Sequence, residues 1–173
     1  LENESQSSSV HQHKAQEQIS HIKLAVITVS DSRTQETDSN GQYLLQQAQQ
    51  KEIEVPLYRI IPDEGSLVAE ALDQASQIAD VVLFNGGTGI SKRDTTFDIL
   101  SQKFTKPIPG FGELFRMLSY EQIGSAAMLS RASAGIYQGT VVFCVPGSHA
   151  AVQLAWEKLI SEQMSHLLWE IRR

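Results

Sequence analysis

Apolar and polar positions recur along this chain in two rhythms, and the changes between them lay out its elements. Ile22 to Ser30 (IKLAVITVS) is a β-branched and aliphatic run that predicts a first, central strand. Glu54 to Ile61 predicts a second strand. Pro56 puts it at a sheet edge or marks its start, because proline lacks the amide that a central ladder uses. Val81-Val82-Leu83-Phe84 is short and continuously apolar, as suits a parallel strand buried on both faces. Ala132 to Tyr137 and Thr140 to Val145, separated by Gln138-Gly139, predict two strands with a tight connection.

Between these runs the spacing becomes helical. Leu44, Leu45 and Ala48 share one side of a helix over Gly41 to Lys51. Leu67, Val68, Ala71, Leu72, Ala75 and Ile78 mark a second helix, and Thr96 to about Phe104 a short third. Phe111, Leu114, Phe115 and Leu118 form an apolar stripe over Phe111 to Ser119. Ala151, Val152, Ala155 and Leu159 begin another stripe, which Met164, Leu167, Leu168 and Ile171 continue, with Trp156 and Trp169 as expected packing anchors. The order β-α-β-α-β-α-α-β-β-α predicts an α/β three-layer sandwich whose central sheet is mostly parallel, with one antiparallel strand. Leu1 to about His21 is rich in Ser, Gln and Glu and is expected to be a disordered tail ahead of one domain over residues 22–173. His11 and His13 in that tail have no carboxylate or cysteine neighbours with which to hold a metal.

Composition narrows the function classes. The chain has 173 residues, 41% of them hydrophobic, enough for one domain with a real core. A net charge of -6 argues against general nucleic-acid binding, which calls for a basic face. The single cysteine, Cys144, lies within an apolar run and reads as a small buried hydrophobe. No apolar stretch reaches the roughly 18 residues of a membrane span, and no signal peptide is visible, so the cytoplasm is the expected compartment.

The candidate chemistry lies where strands end. Asn85-Gly86-Gly87-Thr88-Gly89 is a loop of nearly bare backbone, followed by Lys92, Arg93, Asp94 and Asp98. Amides, cations and carboxylates together suit a phosphate-bearing ligand with a divalent metal. The loop fits neither the P-loop nor the dinucleotide-binding fingerprint. Ser30-Asp31 and Pro146-Gly147-Ser148 leave two other strand ends, and in a parallel sheet the three loops meet at one edge. Two readings of Asp63 stand, a helix cap or a carboxylate directed at that edge. Lys92 and Arg93 are open between phosphate and solvent.

Six motifs in order resemble the MoaB/MogA family of molybdenum cofactor biosynthesis proteins, closer to the MoaB branch. They are TVSDSR (Thr28 to Arg33), IPDE (Ile61 to Glu64), NGGTGISKRDTT (Asn85 to Thr96), PGFGELFRMLS (Pro109 to Ser119), LSRASAG (Leu129 to Gly135) and VPGS (Val145 to Ser148). The resemblance implies a molybdopterin-binding α/β fold assembled as a homotrimer or homohexamer. It implies adenylylation of molybdopterin by ATP with magnesium, and hand-over of the product to a MoeA-type metal-insertion partner. A catalytically silent molybdopterin-binding protein is the alternative. The family's two essential carboxylates match Asp63 and Asp94, the implied catalytic and magnesium-holding residues. Ser30, Asp31, Ser130, Arg131, Gly147 and Ser148 match positions lining the family pocket, and Asp98 sits where the family carries an acid that assists. The implied phosphate-holding amides are those of Gly86, Gly87, Thr88 and Gly89.

Overall fold

The computed structural model describes residues 21–173; apart from His21, the expected tail lies outside the described residues, as do His11 and His13. One six-stranded sheet runs through the domain in the order β2-β1-β3-β6-β5-β4. Its strands are β1 (Lys23–Val29), β2 (Glu54–Ile61), β3 (Val81–Asn85), β4 (Lys106–Pro107), β5 (Ser133–Tyr137) and β6 (Thr140–Val145). β1 pairs with β2 and β3, and β3 with β6, all parallel. β5 runs against both of its neighbours, so it alone opposes the rest. Pro56 sits on β2, the outermost parallel strand, where its missing amide costs no ladder bond to a further neighbour. The β5–β6 turn is made by Gln138 (φ 49°) and Gly139 (φ 83°), the two positive angles that a two-residue hairpin asks for.

Strand side chains alternate between two cores. On one face, Leu24, Val26, Leu83 and Phe143 meet helices α1 (Ser39–Gln50) and α4 (Pro109–Ile123) together with the C-terminal helical segment. On the other, Ala25, Ile27, Phe84, Val142 and Cys144 meet α2 (Gly65–Ser76) and α3 (Thr96–Lys103). Leu44, Leu72, Leu83 and Leu100 are fully buried, each worth about 1.5–3 kcal/mol of transfer free energy. Two covered faces explain why β3 reads as continuously apolar. Burial also pushes the Cys144 thiol far above its ordinary pKa, so it behaves as a core residue, not a nucleophile.

The structure corrects several expectations. Helix α4 starts two residues early, with Pro109 in its first turn, and runs to Ile123. Its buried stripe is Phe111, Phe115 and Ser119, one step of four residues repeated, so Leu114 rotates outward and is 47% exposed. The C-terminal helix is interrupted. α5 (His149–Ala155) passes into a π-turn at Trp156–Ile160 before α6 (Met164–Arg172). The wider turn shifts the stripe. Trp156 is fully buried as expected, but Trp169 lies at the boundary, with the Arg173 guanidinium 5.0 Å from its ring. Ile78 lies beyond the end of α2 and is exposed. β4 has only two residues and no periodicity to announce it.

Candidate functional site

Parallel pairing carries the carboxyl ends of β1, β3 and β6 to one edge, where Thr28 lies opposite Asn85 and Asn85 opposite Val145. The loops that follow therefore emerge side by side, as the sequence predicts. They are packed too closely for side chains. A Cβ on Gly86 would lie 2.2 Å from the Val29 carbonyl oxygen, and one on Gly147 would lie 3.1 Å from the Gly86 Cα. Gly86 and Gly87 also hold φ values of 103° and 64°, which other residues rarely adopt.

The amides of this loop divide into two sets. Gly86 N–H donates to the Val145 carbonyl at 3.1 Å, extending the sheet by one bond. That bond takes it out of the expected phosphate-holding set. The next four amides, of Gly87, Thr88, Gly89 and Ile90, have no acceptor among the described residues. Four successive unpartnered N–H groups form a donor surface available to an anion.

Both expected carboxylates border this surface. Asp63 Oδ1 accepts from the Thr95 amide at 3.1 Å and the Thr95 hydroxyl at 2.8 Å, while Oδ2 lies beside Gly87, where a Cβ would come within 2.6 Å. The start of α2 receives no side-chain cap, so Asp63 supports α3 across the site and not the helix that follows it. Asp94 Oδ2 accepts from the Ser91 amide at 3.1 Å and the Ser91 hydroxyl at 2.5 Å; the carboxylate abuts Gly89. Each carboxylate thus has one oxygen fixed by two donors and one oxygen with no donor. Buried Thr96 Oγ1, also against Gly87, has no hydrogen-bond partner. No cluster of three or more His, Cys, Asp or Glu side chains able to hold a metal occurs among the described residues. Two half-engaged carboxylates do suit magnesium, which takes few protein ligands and fills its shell with phosphate oxygens and water.

The remaining candidates stand around this centre. Asp31 Oδ1 accepts from the Asp63 amide at 3.2 Å, and Asp31 Oδ2 pairs with Arg93 at 2.6 Å, joining the first loop to the second. Lys92 is exposed and makes no ion pair among the described residues. Ser30 Oγ accepts from the amides of Ser32 and Arg33, both at 3.3 Å. Arg131 donates to the carbonyls of Thr88 (2.9 Å), Gly89 (2.5 Å) and Asp94 (3.4 Å) and to Asp98 at 2.8 Å, with its guanidinium 4.8 Å from the Phe97 ring. The Ser130 carbonyl faces Arg116 at 3.4 Å. Ser148 Oγ caps α5 by accepting from the Ala151 amide.

A buried polar chain behind the loops went unnoticed in the sequence. Asn40 Nδ2 donates to Asn85 Oδ1 at 3.1 Å and to the Gly147 carbonyl at 2.8 Å, and Asn85 Nδ2 donates to Thr28 Oγ1 at 2.9 Å. With its amide group so committed, Asn40 Oδ1 accepts from His149 Nδ1 at 3.0 Å, which fixes the imidazole tautomer. Asn40, Asn85 and Thr28 are almost wholly buried. The available signal was Asn85 itself, a polar residue closing a run of buried apolar ones. Nearby, Asp38 caps α1 through the Gly41 amide and accepts from the Tyr58 hydroxyl at 2.8 Å. Burial, followed by that hydrogen bond, pushes the Tyr58 pKa up.

A cavity of about 230 Å³ reaches Phe97, the ring beside Arg131. A larger cleft of about 760 Å³, lined by Asp80, Thr140 and Arg172 among others, opens at the opposite edge of the sheet and holds none of the candidate residues. Among the described residues no helix is long and apolar enough to cross a membrane.

Comparison with known proteins agrees with this architecture. A family model described as "Probable molybdopterin binding domain" matches residues 25–166. Molybdenum cofactor biosynthesis protein B of Bacillus subtilis is 46% identical over 171 residues, covering 95% of this chain and 98% of that protein. A crystal structure of molybdenum cofactor biosynthesis protein B superposes with a TM-score of 0.85 at 45% identity, covering 88% of this chain and 97% of that one. The tungsten cofactor synthesizing protein MoaB from Pyrococcus furiosus superposes with a TM-score of 0.81 at 39% identity, covering 89% and 99%. The family match over residues 25–166, the sequence identity, the superposition and the near-complete mutual coverage lead to one assignment: the chain belongs to the molybdopterin-binding-domain family of molybdenum cofactor biosynthesis proteins, in its MoaB branch.

Proposed function

We propose that this chain binds molybdopterin and transfers the adenylyl group of ATP to its terminal phosphate. An oxygen of that phosphate attacks the α-phosphorus of ATP; the bond from the α-phosphorus to the β-phosphate bridging oxygen breaks, and pyrophosphate leaves. The reaction needs alignment and charge neutralisation more than covalent help from the protein. One observation carries the reading: four unpartnered amides, Gly87 to Ile90, lie between two carboxylates that each keep one oxygen without a donor.

In this reading the amides hold phosphoryl oxygens, and Ser30, Asp31, Ser130, Gly147 and Ser148 line the substrate cleft. Asp63 and Asp94 would hold magnesium through their open oxygens. That ion supplies neutralisation of the phosphate charge. Thr95 and Ser91 keep the two carboxylates turned toward the loop, so no reorientation is needed when ligand arrives. Arg93, paired with Asp31, and Lys92, exposed beside it, place positive charge at the mouth of the site.

Assembly into a homotrimer or homohexamer is part of the same proposal. Leu114, Met117, Tyr120, Ile123, Met128 and Leu129 form an exposed apolar strip along α4 and the 3₁₀ turn that follows it, of the kind that marks an association surface. Transfer of the product to a MoeA-type metal-insertion protein would follow.

The deciding experiment measures pyrophosphate release from ATP and magnesium with purified molybdopterin, using wild type and Asp94→Ala. Molybdopterin-dependent release that disappears in a folded Asp94→Ala protein supports the transferase. Saturable molybdopterin binding by wild type with no release identifies the silent binder instead.

A further inference from the structure

Arg131 lies where the family resemblance puts a ligand-binding residue, yet its donors point into the protein. We infer that Arg131 is a positioning residue: it grips the carbonyls of the glycine loop so that the amides of Gly89 and Ile90 face the anion, and it does not touch the ligand itself. The inference rests on the loop being the phosphate site, as proposed above.

The geometry is stereochemical. In a trans peptide the C=O and the N–H point in opposite directions. Arg131 Nε and Nη2 take the carbonyls of Thr88 and Gly89 at 2.9 and 2.5 Å. The N–H groups on those same two peptide planes belong to Gly89 and Ile90, so both are turned away from the guanidinium. These are two of the four amides with no acceptor among the described residues. The Thr88–Gly89 plane can flip at small cost, because the φ that turns with it belongs to a glycine, whereas a flip of the Gly89–Ile90 plane would carry the β-branched Ile90 to positive φ. A planar, forked donor that engages two successive carbonyls removes that freedom, which the point charge of a lysine could not do. Asp98 takes Nη1 at 2.8 Å, and the Phe97 ring lies 4.8 Å away, so the fork is itself held in place. Four of the five guanidinium N–H groups are thereby engaged, by three carbonyls and a carboxylate. The expected set of phosphate-holding amides shifts by one residue, losing Gly86 and gaining Ile90.

The test is a titration of the ¹⁵N-labelled full chain with inorganic phosphate, read on individual N–H signals. It uses wild type, Arg131→Lys and Arg131→Ala, the last with and without millimolar guanidinium ion, and checks each variant for a folded spectrum. In wild type the Gly89 and Ile90 amides are expected to move downfield saturably while the Arg131 Nε–H signal stays in place. Arg131→Ala and Arg131→Lys should weaken binding by about tenfold or more, and guanidinium should restore most of the loss in the alanine variant only. Arg131 Nε–H moving with the titration, or Arg131→Lys binding as well as wild type, would overturn the positioning role and make Arg131 a direct contact. A folded Arg131→Ala protein that binds normally would also overturn it while leaving the phosphate loop standing. If no loop amide in wild type responds to phosphate or to ATP, the functional reading itself fails, and this inference with it.

Discussion

Asp63 and Thr95 are joined twice, since one carboxylate oxygen receives both the amide and the hydroxyl of the threonine. The pair fixes the direction of the other oxygen, which lies against Gly87. Thr95→Val keeps the shape and the amide bond but removes the hydroxyl donor. The expected result is a loss of about 1–2 kcal/mol of stability and a fall of roughly tenfold in kcat/KM for pyrophosphate release. Urea unfolding and steady-state kinetics on the same preparation check both.

Asn40 is fully buried and ties the helix start to two loops. Asn40→Ala leaves the Gly147 carbonyl and Asn85 Oδ1 without this donor in a dry setting, at an expected cost of about 2–4 kcal/mol. Chemical denaturation measures it. A loss below roughly 1 kcal/mol would mean that other groups or water satisfy these atoms.

Three glycines offer an internal comparison. Gly87→Ala combines a φ of 64° with a Cβ only 2.2 Å from Thr96 Oγ1 and 2.6 Å from Asp63, so it should cost more than about 2 kcal/mol and displace the carboxylate. Gly139→Ala meets the positive φ but open space, and should cost about 1 kcal/mol. Gly110→Ala, in the first turn of α4 with nothing within 4 Å, should stabilise by about 0.5–1 kcal/mol. Thermal unfolding of the three variants tests that order.

Away from the site, the Tyr137 hydroxyl donates to Asp73 at 2.6 Å and holds its carboxyl below the usual range, while the same bond raises the tyrosine pKa. A depressed carboxyl pKa gives stability that is present above about pH 4 and is lost as pH falls through the folded-state value. A raised tyrosine pKa gives stability that is present below about pH 10 and is lost above it. The stability difference between wild type and Tyr137→Phe should therefore be flat from about pH 5 to 9 and shrink at both ends. Denaturation midpoints across pH give the curve. Asp73 is about half exposed, so the plateau should be small.

Much of the fold was legible because burial on both sheet faces writes itself into sequence, as in Val81 to Phe84. Pro56 likewise limited its strand to a sheet edge or its own strand start, and β2 lies at the edge. The glycine loop and its carboxylates stood out in the sequence as candidates, because bare backbone beside Asp and Arg suits an anion as well as a turn. The roles within that set were not legible. Whether the Gly86 amide faces a ligand or Val145 depends on the register of β6, almost sixty residues later in the chain. Asn40 gave no signal, since one polar residue among others looks the same with or without a distant partner. Leu114 was misplaced because a stripe of positions i, i+3, i+4 and i+7 is wider than the contact that α4 makes with the sheet.

The brace on the glycine loop comes late in the chain. Arg131 follows Gly89 by 42 residues, and Gly147 follows Asn40 by 107. During synthesis from the amino terminus, the loop therefore leaves the ribosome unshaped and waits for most of the remaining chain. Any product that stops short of residue 131 can contain Gly86 to Gly89 and both aspartates and still lack the guanidinium that holds the Thr88 and Gly89 carbonyls.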